Sequence, residues 1–232
     1  RIVPPVAEFR QRGKSGLWMS DLFPHLAEQA DELCLLNGMH KDIPNHASAF
    51  VQLHTGSTQF VRPSLGAWTL YGLGSENADL PGYVVLCPGR PVRFAELWTS
   101  AFLPGEFQGT YLNHSDLEPT KLLPNLRNSD SSLSLSQQRR QLELLRRMNE
   151  KHREQHPDEP ALEARIRAME TAFRMQFAAS EAFDIRLEPE AIRNEYGNTK
   201  YAHGCLMARR LIERGVRFVE LIDTGSSGNW DA

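Results

Sequence analysis

Five consecutive apolar residues, Tyr83-Val-Val-Leu-Cys87, stand between Pro81 and Pro88. So short a run bounded by residues that cannot continue a ladder reads as a buried strand. Val216-Arg-Phe-Val-Glu-Leu-Ile222 reads the same way, fed by a helix over Lys200 to Arg214 that Gly215 closes. Leu33-Cys-Leu-Leu-Asn-Gly-Met39 is expected to form another short buried strand, and Thr110-Tyr-Leu-Asn113 a further one. Between them the sequence predicts helices over His46 to Thr55, stopped by Gly56, and over Ser64 to Leu73. Ser20 is expected to cap a helix opening at Asp21, with Pro24 in its first turn. Strand, helix, strand with short connections predicts an α/β fold built on a parallel sheet.

Farther along, two strongly helical segments, Leu135 to Gln155 and Pro160 to Phe183, are broken by His156-Pro-Asp-Glu-Pro160. In the second, Leu162, Ile166, Met169, Phe173 and Phe177 recur at helical spacing, which predicts one buried face opposite a solvated charged one. The pair, residues 133–184, is expected to pack on or insert into one incomplete α/β domain spanning 1–232. Pro189 to Tyr196 reads as a short helix closed by Gly197, and no internal repeat is found.

Charge and composition exclude several function classes. The 26 Lys+Arg against 29 Asp+Glu leave a net charge of −3, too little positive field for phosphate backbones, so no nucleic-acid partner is expected. No apolar run is long enough to span a bilayer. The three cysteines, Cys34, Cys87 and Cys205, form no C-x-x-C pair, and Cys34 and Cys87 sit in apolar runs where inert buried thiols are expected. The chain opens at Arg1 without Met and stops soon after a strand-like run, which reads as an interior piece of a longer protein.

Familiar catalytic motifs fail on inspection. Gly13-Lys14-Ser15 resembles the end of a phosphate-cradling loop, but Glu8 occupies the place of the required upstream glycine. His152-Arg-Glu-Gln-His156 places two imidazoles one turn apart, yet its Glu is misplaced for a metalloprotease and Pro157 ends the helix. There is no G-x-S-x-G elbow.

The segment from Leu35 to Gly56 is more informative. Asn45 and His46 arrive where a polar loop gives way to a helix, and open α/β sheets carry their sites at the carboxyl ends of strands. A helix start offers free N–H groups to an anion, and an imidazole there can ligate a metal, act as a base, attack as a nucleophile, or simply cap. Arg62 is placed to pair with a sulfate or phosphate oxygen, or equally with a structural acid. His40 and Asp42 precede Asn45 in the same loop.

Several long motifs are similar to those of domain-of-unknown-function family 1501. They are Gly16-Leu-Trp-Met-Ser-Asp-Leu-Phe-Pro-His-Leu-Ala, Asn45-His46 with Thr55-Gly56, Arg62-Pro-Ser-Leu-Gly-Ala-Trp68, Tyr71-Gly-Leu-Gly-Ser-Glu-Asn77, Leu80-Pro-Gly-Tyr-Val-Val-Leu86, Ala172-Phe-Arg-Met-Gln176 and the stretch from Cys205 to Val219. That family resembles sulfatases of the alkaline phosphatase superfamily. The resemblance implies a partial alkaline-phosphatase-like parallel sheet with flanking helices and a helical-hairpin insertion, a divalent metal ion as cofactor, and export to the periplasm or beyond the cell. It also implies hydrolysis of sulfate or phosphate esters, sulfated carbohydrates among them, or else a non-catalytic sulfatase-like binding protein of the cell envelope.

Sulfatases place their nucleophile at the head of a Cys-x-Pro-Ser-Arg motif that ends in Thr-Gly. The same spacing counted back from Thr55-Gly56 lands on His46, so this chain carries an imidazole where a formylglycine precursor is expected. Trp230-Asp231-Ala232 resembles the start of the family's Trp-Asp-x-His motif, which implies Asp231, with His46, as a metal ligand or a group that supports one, against an equally open reading as a polar strand-end loop. His46 and Asn45 are then the expected catalytic residues and Arg62 the substrate-binding one. With the rest of the metal site lying outside the given sequence, this stretch alone is expected to be inactive.

Overall fold

The computed structural model describes residues 4–41, 43–91, 93–123, 134–155 and 160–224. The chain divides into two compact units, Arg1–Asp42 and Ile43–Ala232.

In the first unit, β1 (Phe9–Arg12) and β2 (Leu17–Ser20) form an antiparallel hairpin in which Phe9 faces Ser20 and Arg12 faces Leu17. Its turn occupies the Gly13-Lys14-Ser15 segment, and Gly13 and Gly16 take φ of 63° and 67°, a region costly to any side chain. Asp31 accepts the Lys14 and Ser15 amides at 3.0 and 2.8 Å, and these bonds hold its carboxyl below the usual range. The following helix, α1 (Pro24–Glu28), starts later than expected, with Phe23 at its N-cap and no side-chain cap. Ser20 instead ends β2, its hydroxyl accepting from the Leu22 amide at 3.3 Å.

The expected strand over Leu33 to Met39 does not form. The segment is irregular, with Leu36 and Met39 68% and 73% exposed, and Cys34 is an exposed thiol rather than a buried one. A short apolar run becomes a strand only where a neighbour completes its ladder, and no described strand pairs with this one.

The second unit opens with α2 (His46–Thr55), whose first turn is capped by the Asn45 side chain accepting from the Ser48 amide at 3.3 Å. Gly56 ends it in a left-handed conformation. In α3 (Leu65–Leu73) the Ser64 hydroxyl does the capping, and Gly74 ends the helix. There follow β3 (Tyr83–Leu86), β4 (Thr110–Leu112), the single turn α4 (Pro119–Leu122), and the long helices α5 (Leu135–Gln155) and α6 (Pro160–Ala182). After α7 (Glu190–Tyr196), α8 (Lys200–Glu213) is capped by Thr199 and delivers β5 (Phe218–Leu221).

Strands β4, β3 and β5 lie in that order, all parallel, with Val84 opposite both Thr110 and Val219. Because strand side chains alternate, β3 serves two cores. Val84 and Leu86 join Leu112, Met175, Ala179, Phe183, Leu206, Met207 and Leu211 beneath α6 and α8. Tyr83, Val85 and Cys87 join Val51, Leu70, Leu97, Trp98 and Ile222 on the α2 and α3 side. Helices on both faces of a parallel sheet make this an α/β fold, and burying each such aliphatic side chain contributes about 1.5–3 kcal/mol relative to exposure.

The expected apolar stripe of α6 is partly covered, with Leu162, Ile166 and Phe173 half-buried, while the side chain of Phe177 lies outside the described ones. Met175, Ala179 and Ala182 are buried while Met169 is 58% exposed. Among the described side chains of α6 the fully buried ones lie in its second half, and Met169 lies with Ile166 and Phe173 along the groove shared with α5.

Candidate functional site

Each parallel strand finishes beside a residue capable of chemistry: Cys87 directly after β3, His114 two residues after β4, and Asp223 two residues after β5. Hydrogen bonds tie these ends together. The Cys87 amide donates to Leu112 O at 3.1 Å and the Ile222 amide to Leu86 O at 2.9 Å. Thr224 donates its hydroxyl to Pro88 O at 2.8 Å, and the Tyr111 hydroxyl donates to Gly89 O. The Cys87 thiol is buried, and burial together with the Glu220 and Asp223 carboxylates pushes its pKa up to about 11. It therefore stays protonated at neutral pH and is not a nucleophile.

His114 is 1% exposed. Its Nε2 lies 3.2 Å from the Lys200 carbonyl, which can only accept, so Nε2 carries the proton and Nδ1 keeps a buried lone pair that no group among the described residues bonds. Gly204 makes room for the ring, since a Cβ there would stand 2.9 Å from Nε2. Burial shifts His114 below the ordinary histidine range.

A second polar cluster crosses the sheet face covered by α2 and α3. Strand parity puts Phe218, Glu220 and Ile222 on that face, so Glu220 carries a carboxylate into an apolar layer. The Tyr83 hydroxyl donates to Glu220 Oε2 at 2.5 Å, and His54 Nδ1, in the last turn of α2, lies 2.6 Å from Oε1. Oε1 receives no in-line hydrogen bond, so the His54 contact is a close polar approach rather than a directed bond. Burial and the adjacent carboxylate push the Tyr83 phenol far up, which keeps it a donor.

Of the expected site residues, Asn45 and His46 take the N-cap and the first helical position of α2, and both are exposed. Arg62 is exposed in the irregular stretch before α3. Asp231, like Asp42, lies outside the described residues. His40 is exposed, with its ring 3.5 Å from the Gly38 carbonyl. His46 and His54 share a helix but stand eight residues apart, about 12 Å along the axis, and so belong to different neighbourhoods.

A cleft of about 760 Å³ opens at the other ends of the strands, beside Gly82, Tyr83 and Thr110, with Leu70, Tyr71 and Met175 among its lining. Its volume suits a small ligand, but it lies away from Cys87, His114 and Asp223. Among the described residues no three His, Cys, Asp or Glu side chains converge as a metal site. They do not furnish the donor set for the divalent ion the resemblance implies, which would need ligands from outside them.

His54, Tyr83, His114 and Glu220 are not singled out by motif reading. The signal for Glu220 is in the sequence nonetheless: an acid flanked at two residues on either side by Phe218 and Ile222 falls on an apolar strand face. The signal for His114 is its place two residues after a short strand.

No curated protein and no solved structure matches this chain. Residues 1–232 match the family model described as "Protein of unknown function (DUF1501)". With its whole length covered, the chain belongs to the DUF1501 family.

Proposed function

We propose that this protein hydrolyses sulfate or phosphate esters, with His46 and Asn45 at the reacting centre and Arg62 holding the anion. The observation that carries the reading is an exposed imidazole at the first position of an Asn45-capped helix, in a domain whose parallel strands end at Cys87, His114 and Asp223. A helix start favours an anionic ester through its free amides and dipole. In the proposed step His46 accepts a proton from water as its oxygen attacks sulfur or phosphorus. The bond to the alcohol oxygen breaks, and the alcohol leaves with that proton. Arg62 pairs with two of the remaining oxygens. A divalent metal, with Asp231 among its ligands, would polarise the ester. Export to the periplasm or cell exterior belongs to the same reading.

The test is turnover of aryl sulfate and aryl phosphate by the full-length protein, with and without chelator, against His46→Ala. Loss of about 10²-fold or more in the variant is the expected outcome for a general base. Equal rates remove His46 from the reaction.

A second reading, a non-catalytic sulfatase-like binding protein of the cell envelope, is favoured by the imidazole at position 46 in place of Cys or Ser. It requires calorimetric binding of sulfated over unsulfated carbohydrate with no turnover.

A further inference from the structure

We propose that Glu220 is the positioning residue of α2, holding in register the helix that presents Asn45 and His46. The role assigned to His46 rests on the function proposed above; the attachment itself does not. Val51 is the one buried side chain of α2, and Phe50 and Leu53 are 38% and 61% exposed. Ala47, Ala49 and Thr55 are only half-buried, and apolar contact of this kind sets no register by itself, because burial is not directional.

The Glu220 carboxylate supplies a fixed point. It stands in the middle of the apolar face, with its side chain 13% exposed, and engages Tyr83 through one oxygen and His54 through the other. Tyr83 cannot give way: its ring is 1% exposed, packs edge-on against Phe218 at 5.3 Å, and is admitted only because Gly66 and Gly109 lack side chains. The anchored phenol orients Glu220 through its one directed bond, and that fixes where the other oxygen meets His54 Nδ1. The last turn of α2 is then held against β3 and β5, and the regular helix carries that placement to its exposed first turn eight residues away. Burying a carboxylate for packing alone is unfavourable against an aliphatic side chain of the same size, and a polar tie between the sheet and the end of α2 accounts for its presence.

Amide hydrogen exchange of the full chain tests the attachment, with Glu220→Gln, Tyr83→Phe and His54→Gln compared with wild type. Protection over residues 46–55 is expected to fall about tenfold in Glu220→Gln and less in Tyr83→Phe, while α8 keeps its wild-type protection. His54→Gln leaves the Tyr83–Glu220 bond in place and decides the matter if Glu220→Gln fails to fold. Wild-type protection of α2 in every variant that folds overturns the proposal, as does a loss spread equally over α8. Aryl phosphate kinetics add a readout that loosened packing alone does not produce: kcat falls with KM unchanged if α2 presents the reacting group. If wild type and His46→Ala turn over substrate equally, the function assigned to His46 fails, and exchange still reports on Glu220.

Discussion

Gly66 on α3 lies directly against the ring of Tyr83 on β3: a Cβ at position 66 would stand 2.4 Å from the phenol Cζ. No contact that short is tolerated, and both partners are fully enclosed, so either the helix lifts or the ring leaves its bond to Glu220. Gly66→Ala is expected to lower stability by about 1–3 kcal/mol despite the gain in helix propensity, read as a fall in the urea midpoint. In Gly66→Ala/Tyr83→Leu the clash is gone, and the two changes should cost less together than separately. Additive losses would show that the ring is not what the glycine accommodates.

Arg210 is 3% exposed and closes the carboxyl end of α6, donating to the Glu181 carbonyl at 2.7 Å and the Ala182 carbonyl at 3.3 Å while pairing with Glu188. Among the described residues the Ala182 carbonyl has no backbone partner and the Glu181 carbonyl takes only a long bond from the Asp184 amide at 3.4 Å, while Glu188 keeps Arg209 at 2.5 Å if Arg210 is removed. Arg210→Met is expected to cost about 3 kcal/mol by denaturant titration, since it orphans the Ala182 carbonyl and leaves Glu181 with one long bond rather than merely deleting an ion pair. Arg209→Met, at a more exposed position, should cost less than half as much.

Local signals carried much of this fold. Asn45, Ser64 and Thr199 mark helix starts and Gly56 and Gly74 mark ends because caps act within one turn, so the sequence alone suffices to read them. Strands β3 and β5 were legible from their apolar runs. The hairpin of β1 and β2 was not, because Phe-Arg-Gln-Arg shows neither alternation nor sustained apolarity and its register is set by the Gly13–Gly16 turn and Asp31. Leu33 to Met39 fails for the opposite reason, an apolar run whose fate depends on a partner the sequence does not name. The same applies to the cluster of Tyr83, Glu220 and His54: Tyr83 and Glu220 are 137 residues apart, and only the pairing of β3 with β5 brings them together. His46 was legible as a helix start, whereas the ligand set implied by resemblance depends on residues whose convergence no local pattern reports.

In the first unit, Gly13 combines a φ of 63° with the Asp31 carboxylate so near that a Cβ would come 2.3 Å from Oδ1. Gly13→Ala therefore meets both backbone strain and a displaced acceptor of two amides. Faster amide exchange and proteolysis confined to residues 4–41 are expected, with the exchange of α8 unaltered. Asp31→Asn should reproduce a smaller part of the loss, as a neutral amide accepts the Lys14 and Ser15 amides more weakly.

His114 should make the fold sensitive to mild acid. Burial disfavours its charged form, so its pKa in the native state lies below the value of about 6.5 that an unfolded chain gives it. The unfolded state then binds more protons as pH falls through that value, and the linkage sign is destabilising toward acid: the stabilisation is complete above the unfolded pKa and is lost below it. His203, also lowered by burial, adds in the same direction. Urea midpoints measured from pH 8 to pH 5 should fall for wild type, on a scale of about one proton per shifted imidazole. His114→Gln should start lower, because a buried ring and the bond to Lys200 are lost, yet decline less steeply over the same range. A variant that starts lower but keeps the full acid slope would place the titrating group elsewhere, with His203→Gln as the next substitution to compare.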